Sequence, residues 1–174
     1  GGIKDYIMVA EALQNKKIAA MAEAVAKNSE RRKVVLIAGP SSSGKTTSSK
    51  KLAIQLKVLG LEPIPVELDN FFIDREKTPL DEEGRPDFES LQALDVAYLN
   101  ELLLRLFDGQ EVEMPIYDFK AGSRRSSGKR LRLSGHEVLI LEGIHGLNDE
   151  LTPRIPQENK FKIYVSALTQ LNLD

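Results

Sequence analysis

The chain has 174 residues, 41% of them hydrophobic and 29% charged, with a formal net charge of -2 and no cysteine. That length favours one domain whose core needs neither disulfides nor a structural metal, and the missing thiols fit a reducing, cytoplasmic setting. The near-neutral balance gives no electrostatic case for nucleic acid or a membrane surface, no apolar run approaches the roughly 20 residues of a membrane span, and the N-terminus lacks a secretory-signal layout.

In chain order, residues 5–27 predict a helix, because Ile7, Val9, Ala10, Leu13, Ile18, Met21 and Val25 recur near helical spacing. The charged stretch Glu30-Arg31-Arg32-Lys33 reads as a solvated junction, so residues 1–32 form an N-terminal helix and junction and residues 33–174 the main domain. Val34-Val35-Leu36-Ile37-Ala38 is a continuous apolar run, the mark of a strand buried on both faces. A helix pattern resumes at Thr46 and runs to about Leu59, with Gly60 as its stop. Ile64 to Leu68 is a second strand, ending at Asp69. Residues 73–87 are polar, carry Pro79, Gly84 and Pro86, and read as a long mobile loop. Leu91 to Phe107 is helical and stops at Asp108-Gly109; Glu111 to Phe119 is extended. Gly122 to Gly128 reads as a loop or hairpin, Val138 to Leu141 as a third buried strand, and Phe161 to Val165 as a fourth. Strands alternating with helices imply an α/β fold with a mostly parallel sheet.

Gly39-Pro40-Ser41-Ser42-Ser43-Gly44-Lys45-Thr46 matches the phosphate-loop pattern G-x-x-x-x-G-K-[ST] in full, with Thr47 following, and lies between a buried strand and a helix. Gly39 and Gly44 permit backbone angles that side chains block, so successive N–H groups turn inward toward phosphate oxygens. The helix start adds the positive end of its dipole. Lys45 supplies a cation for the outer phosphates, and Thr46 a hydroxyl for Mg²⁺. The plainer alternative is a Gly/Ser-rich turn with an incidental lysine. The pattern implies ATP or a similar nucleoside triphosphate, without separating kinases, GTPases and motor ATPases. No N-K-x-D base-reading motif of a GTPase is present.

Ligands of open α/β sheets sit beyond the carboxyl ends of the strands. Asp69 and Glu142 both stand where strands are expected to end. One carboxylate can accept a proton from an attacking hydroxyl while the other positions Mg²⁺. The competing reading is a turn or cap for Asp69 and a surface acid for Glu142. His136 and His145 lack ligand-spaced companions and read as structural or exposed. Arg124, Arg125, Lys129, Arg130 and Arg132 form a basic cluster that is a solvated hairpin unless an anionic substrate lies beside it.

Taken together, GPSSSGKTT at 39–47, LDNFF at 68–72, GQEVEMPIYDF at 109–119 and LILEGIHGL at 139–147 resemble the uridine kinase and phosphoribulokinase family, in order and spacing, over residues 33–167. EGIHGLN and KFKIYVSALTQLNLD are similar to a bacterial subgroup in which the kinase region follows a threonyl-tRNA-synthetase-like region. The resemblance implies a P-loop kinase fold, a three-layer sandwich with a mainly parallel sheet, and phosphorylation of a nucleoside 5′-hydroxyl or a similar small hydroxyl compound by ATP with Mg²⁺. It casts Asp69 as the base, Lys45 as the catalytic cation, Thr46 and Glu142 as Mg²⁺ ligands, and Tyr117 as an aromatic contacting the nucleoside. Glu89, beside Asp87, aligns near the acid that grips the ribose hydroxyls. Pyrimidine-specific members place a histidine five residues after the motif tyrosine, where this chain has Gly122, and Arg124 is the neighbour able to supply that contact. The family continues into an arginine-bearing lid helix, which the resemblance places beyond Asp174. The implied partner is a small nucleoside-like molecule, with homo-oligomerisation compatible. An ATP-binding regulatory module of a larger protein, without efficient turnover, is the alternative.

Overall fold

The computed structural model describes residues 2–30, 33–39, 45–143, 145, 148–165 and 171–173. Helix α1 spans Gly2–Lys27, strand β1 Val34–Ala38, helix α2 Lys45–Val58 and strand β2 Glu62–Glu67. Helix α3, Val96–Phe107, is followed by β3 (Val112–Asp118), β4 (Ser123–Leu131), β5 (Glu137–Glu142), β6 (Lys160–Val165) and β7 (Leu171–Leu173). The main sheet has the order β2-β5-β1-β6-β7, and β3 and β4 form a separate antiparallel hairpin. The β2–β5, β5–β1 and β1–β6 pairings are parallel; β7 joins β6 antiparallel. This is the expected mainly parallel α/β sheet. Among the described residues no helix is long and apolar enough to cross a membrane.

All five residues of β1 are buried, and the pleat divides them between two cores. Val34 and Leu36 pack with Leu139, Leu141 and the apolar face of α3. Val35 and Ile37 pack with Val138, Ile140, Leu52, Leu56 and the α1 residues Ile18, Met21, Ala22 and Val25. Helices therefore cover both faces, and each fully buried aliphatic side chain stabilises by about 1.5–3 kcal/mol relative to exposure. The first half of α1 runs past this core, leaving Ile3, Tyr6, Ile7 and Leu13 exposed.

Several expected boundaries move. Helix α1 begins earlier than residue 5, and β2 stops at Glu67 because Leu68–Phe71 forms a 3-10 turn. The helix expected over Leu91–Phe107 is two elements, a 3-10 turn at Leu91–Ala93 and then α3. The break falls at Asp95, whose carboxylate accepts from the Tyr98 N–H and caps α3. Residues 73–87 hold defined turns: a 3-10 turn at Arg75–Lys77, a bridge between Leu80 and Pro86, and an Asp87 N–H bonded to the Pro79 carbonyl at 2.8 Å. Gly122–Gly128 is not a loop as a whole. Only its first residue belongs to the hairpin turn, and Ser123 onward is β4, opposite β3 in the register Tyr117 to Arg124.

Candidate active site

The parallel register sets the strand ends level. Ile37 of β1 pairs with Glu142 of β5, and Glu142 pairs with Glu67 of β2. Glu142 is thus the last residue of the middle strand, with Gly39 just past one neighbour and Asp69 just past the other. Adjacent strands are about 4.8 Å apart, so the β1 and β2 ends flank Glu142 at roughly 10 Å from each other. Pro40, Ser41, Ser42, Ser43 and Gly44 lie outside the described residues, as do the side chains of Lys45 and Thr46. The described backbone keeps the context that the phosphate loop needs: a buried strand ends at Ala38, Gly39 takes φ 153°, and α2 starts at Lys45 with Thr47 exposed in its first turn.

Asp69 is presented by its neighbours. Leu68 and Phe71 are buried on either side of it, which leaves the carboxylate exposed on the 3-10 turn. The turn is not one that Asp69 caps: the capping position is Glu67, with no side-chain cap bond. Asn70 ties the turn to the hairpin by accepting the Tyr117 N–H at 3.1 Å. Gly143 makes room for it from the other side, since a Cβ there would stand 2.5 Å from Leu68 Cδ1. Among the described residues there is no cluster of three or more His, Asp or Glu able to cage a metal. A single strand-end carboxylate beside a phosphate loop fits Mg²⁺ all the same, because that ion takes few protein ligands and keeps water and phosphate oxygens.

The acceptor-side residues divide. Tyr117 is 4% exposed, its hydroxyl donates to the Ile73 carbonyl at 3.0 Å, and burial raises its pKa above the ordinary tyrosine value. Its ring meets Phe72 and Phe119 edge-on. The aromatic of this cluster that faces outward is Phe119, 52% exposed. Arg124 pairs with Asp95 at 3.2 Å and lies 3.8 Å over the Tyr98 ring. Phe72, Ile73, Asp74, Lys77, Asp95 and Arg124 line a cavity of about 310 Å³, and Asp69 stands three residues before Phe72. That volume is at the lower end for small-ligand sites. Glu89 and Tyr117 are not among the lining residues; Glu89 is exposed, with its N–H donated to Asp87 Oδ1 at 3.1 Å. Sequence reasoning missed Phe88, Phe119, Lys77 and Asp95. Only Asp95 carried a readable signal, an acid just before an apolar helical repeat.

Gly122 has a structural role beyond the missing histidine. It takes φ +70°, and a Cβ there would lie 2.9 Å from Arg75 Cβ and 3.2 Å from Arg75 Nε. The Arg75 N–H donates to the Gly122 carbonyl at 2.8 Å, and its guanidinium donates to the Phe119 carbonyl. The Arg75 stem therefore fills the space that a side chain at 122 would need. Gly122→His in the full-length protein is expected to lose about 1–2 kcal/mol from the left-handed backbone alone, a fall in Tm of about 2–8 °C. A thermal melt matching wild type, with a new preference for pyrimidines, would overturn this.

A family model described as "Phosphoribulokinase / Uridine kinase family" matches residues 34–174. The chain is 32% identical over 141 residues to the uridine kinase of Ligilactobacillus salivarius, covering 80% of this chain and 63% of that protein. It is 31% identical over 134 residues to the uridine kinase of Halalkalibacterium halodurans, covering 77% of this chain and 60% of that protein. The chain thus spans less than two thirds of the length of these relatives. A solved structure described as a possible uridine kinase from Bacillus stearothermophilus superposes with a TM-score of 0.61 at 22% identity, covering 85% of this chain and 80% of that one. At that identity the superposition bears on the fold.

Proposed function

Because the chain belongs to the phosphoribulokinase and uridine kinase family, we propose that it is the nucleotide-binding and hydroxyl-activating part of a cytoplasmic kinase acting on a nucleoside or a similar small hydroxyl compound. The observation that carries this reading is the level placement of three strand ends, with Glu142 between Gly39 and Asp69. In the proposed mechanism, residues 39–47 hold the phosphates of ATP through backbone N–H groups and the start of α2. Lys45 offsets charge on the outer phosphates. Mg²⁺, for which Thr46 and Glu142 are the proposed ligands, supplies neutralisation of the phosphate oxygens when bound. Asp69 orients the acceptor hydroxyl and takes its proton as the oxygen attacks the γ-phosphorus of ATP and the bond from that phosphorus to the bridging oxygen breaks, releasing ADP. Positioning and electrostatics account for most of the acceleration in such transfers.

The cavity lined by Phe72 is the proposed acceptor site, with Arg124 at its wall and the Tyr117 and Phe88 rings packed against Phe72; Glu89 follows Phe88 in the chain. A site that hydrogen-bonds one base edge rejects others strongly, because a wrong ligand leaves buried polar groups unpaired. Gly122 offers no such bond. The full-length protein is therefore expected to favour uridine and cytidine less than pyrimidine-specific relatives do. The test is an acceptor screen reading ADP formation, with kcat/KM compared for uridine, cytidine, adenosine, guanosine, inosine and free sugars. ATP binding with no acceptor-dependent ADP would defeat the kinase reading. Strict pyrimidine selectivity would defeat the argument from Gly122 and point to Arg124.

A further inference from the structure

His145 lies three residues past Glu142, beyond the end of β5, and its Nε2 is 2.7 Å from the backbone oxygen of Glu89. A carbonyl oxygen only accepts, so Nε2 is the protonated nitrogen, and the partner fixes the tautomer. The main chain that carries the imidazole is itself held, since the His145 carbonyl accepts the Asn148 N–H at 3.0 Å. On the other side of the bond, Glu89 belongs to a short turn held from within. The Glu89 N–H donates to Asp87 Oδ1 at 3.1 Å, the Asp87 N–H to the Pro79 carbonyl, and the Ser90 N–H to the Asp87 carbonyl at 3.3 Å. The Phe88 ring packs edge-on against Phe72, with centroids 5.0 Å apart. The turn is thus a small rigid unit, and the His145 bond joins it to the segment that follows β5.

We propose that His145 is a positioning residue that ties the Asp87–Glu89 turn to the end of the strand carrying Glu142. One hydrogen bond then sets the acceptor side of the site against the nucleotide side. Without it the turn is held only by its own bonds and its Phe88 contact, so those bonds open more often and its distance from Glu142 is no longer fixed. His145 touches no reacting atom in this account. Its catalytic consequence rests on the proposed kinase reaction, whereas the tether does not.

The test is hydrogen exchange by mass spectrometry on the full-length protein, with His145→Ala and His145→Gln. Glutamine places an N–H donor near the position of Nε2. In His145→Ala the amides of Asp87 and Ser90 are expected to exchange roughly three- to tenfold faster, the scale of one solvent-accessible hydrogen bond. In His145→Gln they are expected to return most of the way to wild type, and α3 is expected to be unchanged in both. With uridine as acceptor, KM for uridine rises by a similar factor in His145→Ala while KM for ATP stays constant. Wild-type exchange in His145→Ala overturns the proposal, and so does equal acceleration in both variants or acceleration shared by α3. A KM for ATP that rises in step with that for uridine overturns the positioning role. If uridine is no substrate, the kinase reading fails on that acceptor, and the exchange comparison alone still decides the tether.

Discussion

Asp69→Asn in the full-length protein is expected to leave ATP affinity unchanged and to lower turnover by roughly 10²–10⁴-fold, the usual contribution of a positioned base. Asparagine has nearly the same shape and cannot take up the proton. The fold has no stake in the charge: the turn is pinned by buried Leu68 and Phe71 and by Asn70 bonded to the Tyr117 N–H, while Asp69 itself is exposed. A loss of turnover therefore reports chemistry and not collapse. The measurement pairs kcat from ADP release with ATP affinity from calorimetry. An Asp69→Asn enzyme of wild-type activity would move the base elsewhere, and a parallel loss of ATP affinity would make Asp69 part of the nucleotide site.

Lys45→Ala is expected to weaken ATP binding by about 10- to 100-fold, because hydrogen bonds to charged groups each contribute about 1.5–3 kcal/mol. Lys45 opens α2 directly after the glycine-rich stretch, so its loss takes a cation from the site and leaves the core residues Leu52 and Leu56 in place. Circular dichroism and Tm should match wild type. Unchanged ATP affinity in a folded variant would remove the phosphate-loop assignment itself, and with it the premise of the Asp69 experiment.

The two central strands β1 and β5 were legible because they are apolar on both faces. Val34–Ala38 and Val138–Leu141 stand out from any turn or surface helix, whereas the level placement of Gly39, Glu142 and Asp69 depends on β5 lying between β1 and β2, an adjacency that the sequence left as a condition. The residues that failed to announce themselves fail for physical reasons. Strand β4, Ser-Arg-Arg-Ser-Ser-Gly-Lys-Arg-Leu, buries no residue fully, so it has no period-two hydrophobic signal, and the sequence left loop and hairpin open where the structure has the hairpin. The break before α3 was hidden because Leu91 and Leu94 extend an apolar pattern across it, and the cap at Asp95 is a single polar residue. Arg75 against Gly122 and His145 against Glu89 are contacts between segments far apart in the chain, and no local rule points to either.

The position of β1 also governs how the chain must assemble in time. Its backbone is paired only by β5 and β6, which are made roughly a hundred residues later, about 5–20 s at ordinary rates of synthesis. During that interval Val34–Ala38 is a short, uncharged, β-prone segment with both edges open, the composition that pairs readily with other chains. Pairing across so long a separation also closes slowly once the partners exist. Slower growth at lower temperature, or a chaperone that covers β1, is therefore expected to raise the yield of folded protein by acting on that wait and not on the stability of the finished sheet.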